Sequence, residues 1–387
     1  MLLTNARIVL PERVANRGSL NLEGDRIAQI LDSAAVDYRK ANNVIDLDGL
    51  TLYPGFIDAH VHGAAGIDAM DTDPDGLYRI GKFLARKGVT AWLPTLVPAR
   101  LEQYQQAVES IEGAMQTKGK AAQVLGVHYE GPFVNSEQCG ALHKEFFRTF
   151  NSRAALDELP TIFRNQAVHI MTVAPEIEGG IELIKELTRR GWIVSIGHTR
   201  AKIEILDQAL AAGARHMTHF MNAMTPLHHR DLGAVGWGLI HNDVTCDLIA
   251  DGIHIDRSIL KLIVSSKKTE KVSLISDAIA AAGMGDGDYE IWGEKISVTH
   301  GRTQNARGSI AGSVINLLDA VRMMLSLGFS EPEAARMASF NPAKLIGIDR
   351  ECGSIEEDKR ADLVVIDDEM NVRLTIIGGE IAFQDLS

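Results

Sequence analysis

The sequence is poor in cysteine, in long apolar runs and in positive charge. Its three cysteines, Cys139, Cys246 and Cys352, are an odd number without metal-type or disulfide-type spacing. They exclude a disulfide framework and predict reduced thiols in the cytoplasm. No uncharged apolar run approaches the roughly 20 residues needed to span a bilayer, so no membrane partner is expected. The start, Met1-Leu2-Leu3-Thr4-Asn5-Ala6-Arg7-Ile8, lacks a basic stretch followed by an apolar core, and no signal peptide is expected. Lys and Arg number 39 against 51 Asp and Glu, a formal net charge of -12. That balance argues against a nucleic-acid-binding surface, which needs clustered cations. An anionic ligand must therefore be held by local positive groups. Solenoid repeats and low-complexity tails are also missing.

What remains is an ordinary globular composition, 45% hydrophobic and 23% charged over 387 residues. The length suits one barrel of about 250 residues plus a smaller domain. Short apolar runs at 6–10, 19–22 and 26–30, broken by Pro11 and Gly24-Asp25, read as strands. So do 361–366 and 372–377 at the other end. Each terminal piece is too short for its own core, which predicts one small β-sandwich domain built from 1–52 and 351–387. Between them, 53–350 alternates strands and helices, including helices over 77–87 and 101–115. About eight strands, many with polar residues at their C-terminal ends, favour a (β/α)8 TIM-like barrel over a doubly wound sheet. Two long irregular connections, 131–150 and 281–307, follow the third and eighth strands.

The stretch Leu52–Gly63 is a short apolar strand ending in His60 and His62. Alternating strand side chains put both on one face, where they can grip a divalent metal. Alone, such a pair can equally be two ordinary loop histidines. Glu130, His198 and His219 stand at the ends of the third, fifth and sixth strands. One carboxylate and two imidazoles make an open metal site, with His60 and His62 completing a second position bridged by Glu130. Asp277 closes the eighth strand and suits either a general base and acid or a helix N-cap. His228-His229-Arg230 offers donors for a phosphate, or is a solvated loop. The fourth strand, Val168–Val173, runs into Ala174-Pro175-Glu176 without the metal-bridging lysine of many cyclic-amide hydrolases. A non-catalytic barrel is disfavoured because no ligand looks lost.

The segments His128-Tyr129-Glu130-Gly131-Pro132-Phe133, Gly197-His198-Thr199, Thr218-His219-Phe220-Met221-Asn222-Ala223-Met224, Asp251-Gly252-Ile253-His254 and Ser276-Asp277-Ala278 resemble motifs of the N-acetylglucosamine-6-phosphate deacetylase family, within the amidohydrolase superfamily. Ile310-Ala311-Gly312-Ser313, Asn341-Pro342-Ala343 and Arg360-Ala361-Asp362-Leu363 extend the likeness along nearly the whole chain. The resemblance implies Glu130, His198 and His219 as principal metal ligands and His60 and His62 as capacity for a second ion. It implies Asp277 as base and then acid, and His143 as the group that polarises the substrate carbonyl. Asn222, Ala223, His254 and Ala311 fall where the family meets its substrate, an amino-sugar phosphate. Arg230 falls where a neighbouring subunit supplies a phosphate-binding arginine, which implies a homodimer. Zinc is the first choice of ion, although this donor set also accepts iron, manganese or cobalt. The glucosamine and galactosamine epimers both stay open as substrates. Leu142 separates Gly140-Ala141 from His143, where many members have Gly-Ala-His. Cys139 beside that loop histidine is read as a plain thiol rather than an oxidant sensor.

Overall fold

Strands from both ends of the chain meet in one sheet. The computed structural model describes residues 1–32, 43–116, 120–164 and 166–386. In it, Thr51–Pro54 lies between Leu2–Val9 and Leu363–Ile366. The sheet continues through Val372–Ile377 to Glu380–Gln384 on one side and through Val14–Glu23 to Arg26–Asp32 on the other. Val44–Asp46 adds to Leu2–Val9 in parallel. The two halves need each other: Leu3, Ile8, Leu20 and Ile27 from the first pack with Leu363, Val365, Leu374 and Ile376 from the second in one buried cluster.

The middle of the chain forms eight parallel strands around a TIM-like barrel. They are Phe56–Val61, Val89–Leu96, Gly126–Glu130, Val168–Val173, Ile193–Ile196, His216–Met217, Thr245–Ile249 and Val272–Ile275, each paired with the next in sequence. The ring closes where Val61 bridges Ala278 in parallel. There the Asp277 amide donates to His60 O at 3.0 Å and the His62 amide to Ala278 O at 2.8 Å. This closure excludes the doubly wound sheet. The helices sit outside, with Pro74–Ala85 and Leu101–Ala114 overlapping the expected 77–87 and 101–115 and ending two residues and one residue earlier. Asp73 caps the former by accepting from the Gly76 amide, and Pro74 at its first position is pre-set for a helical start.

The floor of the barrel is apolar. Ile57, Ala59, Ala91, Leu93, Val168 and Ile170 pack against Ala343, Ile346 and Cys352. Asn341 anchors this plug by donating to Thr269 O and Val272 O at 2.6 Å each.

Three strands end earlier than their apolar runs suggest, because His198, His219 and Asp277 adopt φ values of 47°, 29° and 52°. That left-handed backbone cannot extend a ladder. The 281–307 connection is also more regular than expected. It contains the antiparallel strands Gly287–Ile291, Glu294–Thr299 and Arg302–Asn305, whose Ile291, Ile296 and Val298 pack on Ile279, Ala281 and Ala311.

Candidate active site

Glu130, the last residue of the third strand, is the centre of a buried group of donors at the barrel mouth. Its Oε1 lies 3.0 Å from His198 Nε2 and 2.9 Å from His219 Nε2. Its Oε2 lies 3.3 Å from His62 Nε2, and His60 Nε2 is 3.9 Å from Oε1. The two ring nitrogens of His198 and His219 are 3.1 Å apart, as are those of His60 and His62. Asp277 Oδ1 stands 3.3 Å from His60 Nε2 and 3.2 Å from His62 Nε2. Two three-residue groups thus share Glu130: His60–His62–Glu130 and Glu130–His198–His219.

This arrangement fits a divalent cation on its own chemistry. His198 Nδ1 donates to Gln138 O at 2.7 Å and His62 Nδ1 to Thr95 O at 3.2 Å. Each contact holds the proton on Nδ1 and turns the Nε2 lone pair into the cluster. Lone pairs facing each other at these distances repel unless a positive charge sits between them. Oxygen and imidazole donors on two sides of one carboxylate are the pattern for one or two such ions.

The electrostatics are extreme because water is excluded. Burial raises the Glu130 pKa, but contacts with His198, His219 and His62 outweigh this and hold it well below the usual carboxylate range. Burial lowers that of His62, and the Asp277 and Glu130 carboxylates more than reverse it, up to about 10, so its Nε2 carries a proton wherever no metal ion takes that place. His60, beside His128 and packed without solvent, is pushed well below the normal histidine value, first by burial. His219 is raised: burial opposes the proton, and Glu130 wins. His128 belongs to the same sequence motif as Glu130 yet points away, bonding Ala59 O and Thr172 Oγ1 at 3.1 and 2.9 Å. The left-handed backbone at His198, His219 and Asp277 costs on the order of 1–3 kcal/mol per residue, strain typical of sites where side chains must be aimed.

The donors open onto a cavity of about 290 Å³. Asn222, Ala223 and His254 line it. His254 is oriented by Asp251, which accepts from its Nδ1 at 2.7 Å and from the amides of Ile253 and His254 at 2.8 Å. Burial raises the Asp251 pKa, but these donors prevail and leave it lowered.

Three of the residues expected to meet substrate stand apart from the cavity lining. Ala311 is fully buried behind it, although its neighbours Ile310 and Gly312 take part. His143 turns its Nδ1 to Glu145 at 3.3 Å, with Glu294 3.9 Å from its Nε2. Arg230 is exposed and donates to His229 Nε2 at 2.8 Å. Two further lining residues, Leu142 and Trp292, were not singled out as substrate contacts from the sequence. The extra residue in Gly-Ala-Leu-His pointed to Leu142; nothing local pointed to Trp292.

Comparison with known proteins agrees with this geometry. The model of the amidohydrolase family matches residues 51–382, and the chain belongs to that family. It is 39% identical over 341 residues to an N-acetylgalactosamine-6-phosphate deacetylase of Escherichia coli O157:H7, covering 88% of this chain and 90% of that one. It is 34% identical over 390 residues to an N-acetylglucosamine-6-phosphate deacetylase of Bacillus subtilis (strain 168), covering 99% and 97%. A crystal structure of N-acetylglucosamine-6-phosphate deacetylase from Pasteurella multocida superposes with a TM-score of 0.90 at 30% identity, over 98% of both chains.

Proposed function

We propose that the chain is a metal-dependent deacetylase of N-acetylated hexosamine 6-phosphates. In this reading N-acetylglucosamine 6-phosphate and water become glucosamine 6-phosphate and acetate. The observation that carries it is the Glu130-centred pair of donor groups with Asp277 beside the first-strand histidines. A divalent ion bound there supplies Lewis-acid activation of the amide carbonyl and of the attacking water. Glu130, His198 and His219 are its principal ligands, and His60 and His62 give capacity for a second. Zinc suits the donors best, with iron, manganese and cobalt as alternatives.

Asp277 takes the proton from the attacking water as the C–O bond forms. It then returns it to nitrogen as the C–N bond breaks, so the amine leaves neutral. His254, held by Asp251, and Asn222 with Ala223 orient the sugar phosphate in the cavity. Carbonyl polarisation by His143 requires its side chain to turn from Glu145 and Glu294. Arg230 is read as reaching the phosphate of a neighbouring subunit in a homodimer. Its exposure and the exposed apolar Leu227 and Ile240 nearby in sequence, 50% and 62% accessible, support that reading. Residues 53–350 are assigned the chemistry, and 1–52 with 351–387 the supporting domain. Among the described residues no helix is long and apolar enough to cross a membrane, and the reduced-thiol reading puts the enzyme in the cytoplasm.

Acetate release from N-acetylglucosamine 6-phosphate, measured with metal content on the same sample, is the test. Turnover of the unphosphorylated sugar at an equal rate would remove the phosphate assignment. The 39% likeness to a galactosamine-type relative favours a second reading, preference for the C4 epimer. Comparing kcat/KM for the two sugar phosphates decides between them.

A further inference from the structure

Two loops bring large apolar side chains to the cavity over the donor cluster. Leu142 comes from the connection after the third barrel strand, and Trp292 from the hairpin that follows the eighth. Both line the cavity. Both also belong to one packed apolar group with Val97, Val134 and Ala174. The Trp292 ring stands edge-on to His62, with centroids 5.1 Å apart and planes at 78°.

The hairpin holds that ring in place. Trp292 and Gly293, with φ of 56° and 72°, form the two-residue turn between Ile291 and Glu294. This is the left-handed pair that a tight hairpin requires. The strands on either side are fixed by Ile291 and Ile296 packing on Ile279 and Ala281, just beyond Asp277. The indole is therefore tied to the same segment as the proposed base.

We propose that Trp292 and Leu142 form the acyl wall of the site and limit the scissile amide to an acetyl group. The inference rests on the deacetylase reading. An amide carbonyl placed at the Glu130–Asp277 centre must send its acyl carbon somewhere among carboxylates and imidazoles. Ala223, Ile249 and Ile310 also line the cavity, but Trp292 stands in ring contact with a donor, His62, and an alkyl group gains by leaving water against it. The wall is rigid and close to His62, so a methyl fits and a longer chain meets the indole.

The experiment compares kcat/KM for the N-acetyl, N-propionyl and N-butyryl forms of glucosamine 6-phosphate, using metal-loaded protein and recording metal content. Trp292→Ala is expected to raise the propionyl-to-acetyl ratio roughly tenfold or more, the scale of one methylene in an apolar pocket. Leu142→Ala shifts the ratio less, in the same direction. Trp292→Phe, which keeps an aromatic face, stays close to the unmodified enzyme. If Trp292→Ala does not fold, Trp292→Leu and Leu142→Ala are read by the same ratio. An unchanged ratio in a variant with full metal content overturns the wall while leaving the deacetylase reading intact. An unmodified, metal-loaded enzyme that releases no acyl group from any of the three overturns both.

Discussion

The two ends of the barrel strands contrast sharply. At the floor, Leu93, Ile57 and Ile170 meet Ala343 and Ile346 in ordinary apolar contact. At the mouth, at the C-terminal ends of the first, third, fifth, sixth and eighth strands, four imidazoles and two carboxylates crowd within hydrogen-bonding range. The backbone there is left-handed at three of the six residues. The floor gains free energy by excluding water from apolar surface. The mouth spends some of it to hold polar groups in a geometry that fits a divalent cation. Variants at the two ends should therefore fail in different ways.

The largest effect is expected from Glu130→Gln. Loss of the shared carboxylate should remove several kcal/mol of metal-derived stabilisation, or more than about a thousandfold in kcat/KM. Bound metal measured on the purified protein should fall with it, and retention of full metal content would count against Glu130 as the shared ligand. Asp277→Asn should cost about a hundredfold to a thousandfold in kcat, within the range of a lost general base. Here metal content should hold; a parallel loss of metal would reassign Asp277 from proton transfer to ligation. At the floor, Leu93→Ala should lower unfolding stability by about 2–5 kcal/mol and leave kcat per folded molecule unchanged. Denaturant melts alongside active-site titration separate the two, and a kcat defect would break the division between floor and mouth.

The smallest effect is a pH dependence on the outer helix layer, remote from both ends. Glu186, 5% exposed, accepts from Arg189 at 2.6 and 2.9 Å and from Arg190 at 2.9 Å, with Arg153 at 3.3 Å. Hydrogen bonds from Arg189 and Arg190 hold its pKa down at about 2. A depressed carboxylate stabilises the fold above its unfolded value of about 4.3 and loses that contribution as pH falls through the folded value. Glu186→Gln should therefore melt slightly lower than the unmodified protein at pH 7, and the gap should close toward pH 2. A gap that widens in acid would reverse the sign.

Much of this was legible in the chain. Short apolar runs marked the terminal strands, and the run Val168–Val173 marked a barrel strand to the residue. Glu130 was legible because it ends its strand in sequence as it does in space. His198, His219 and Asp277 were placed at strand ends, yet their left-handed backbone was invisible, since no local pattern of side chains encodes strain imposed by neighbours. The hairpin at 287–305 was read as irregular because its strands are half exposed and become ordered only against Ile279 and Ala281. His143 and Leu142 show the limit most clearly. One residue of register decides which of them faces the cavity, and the loop's packing sets that register.

The sequence by itself determined the alternating strands and helices, the apolar strand-like runs at both termini, and the residue types able to hold a cation. Hydrophobic period and donor chemistry are local properties and survive in one dimension. Only the tertiary structure decided that Glu130 is shared by two histidine pairs, that His143 faces Glu145, and that Trp292 stands over His62. Those outcomes depend on where segments far apart in the chain pack against one another, and packing is a property of the folded whole.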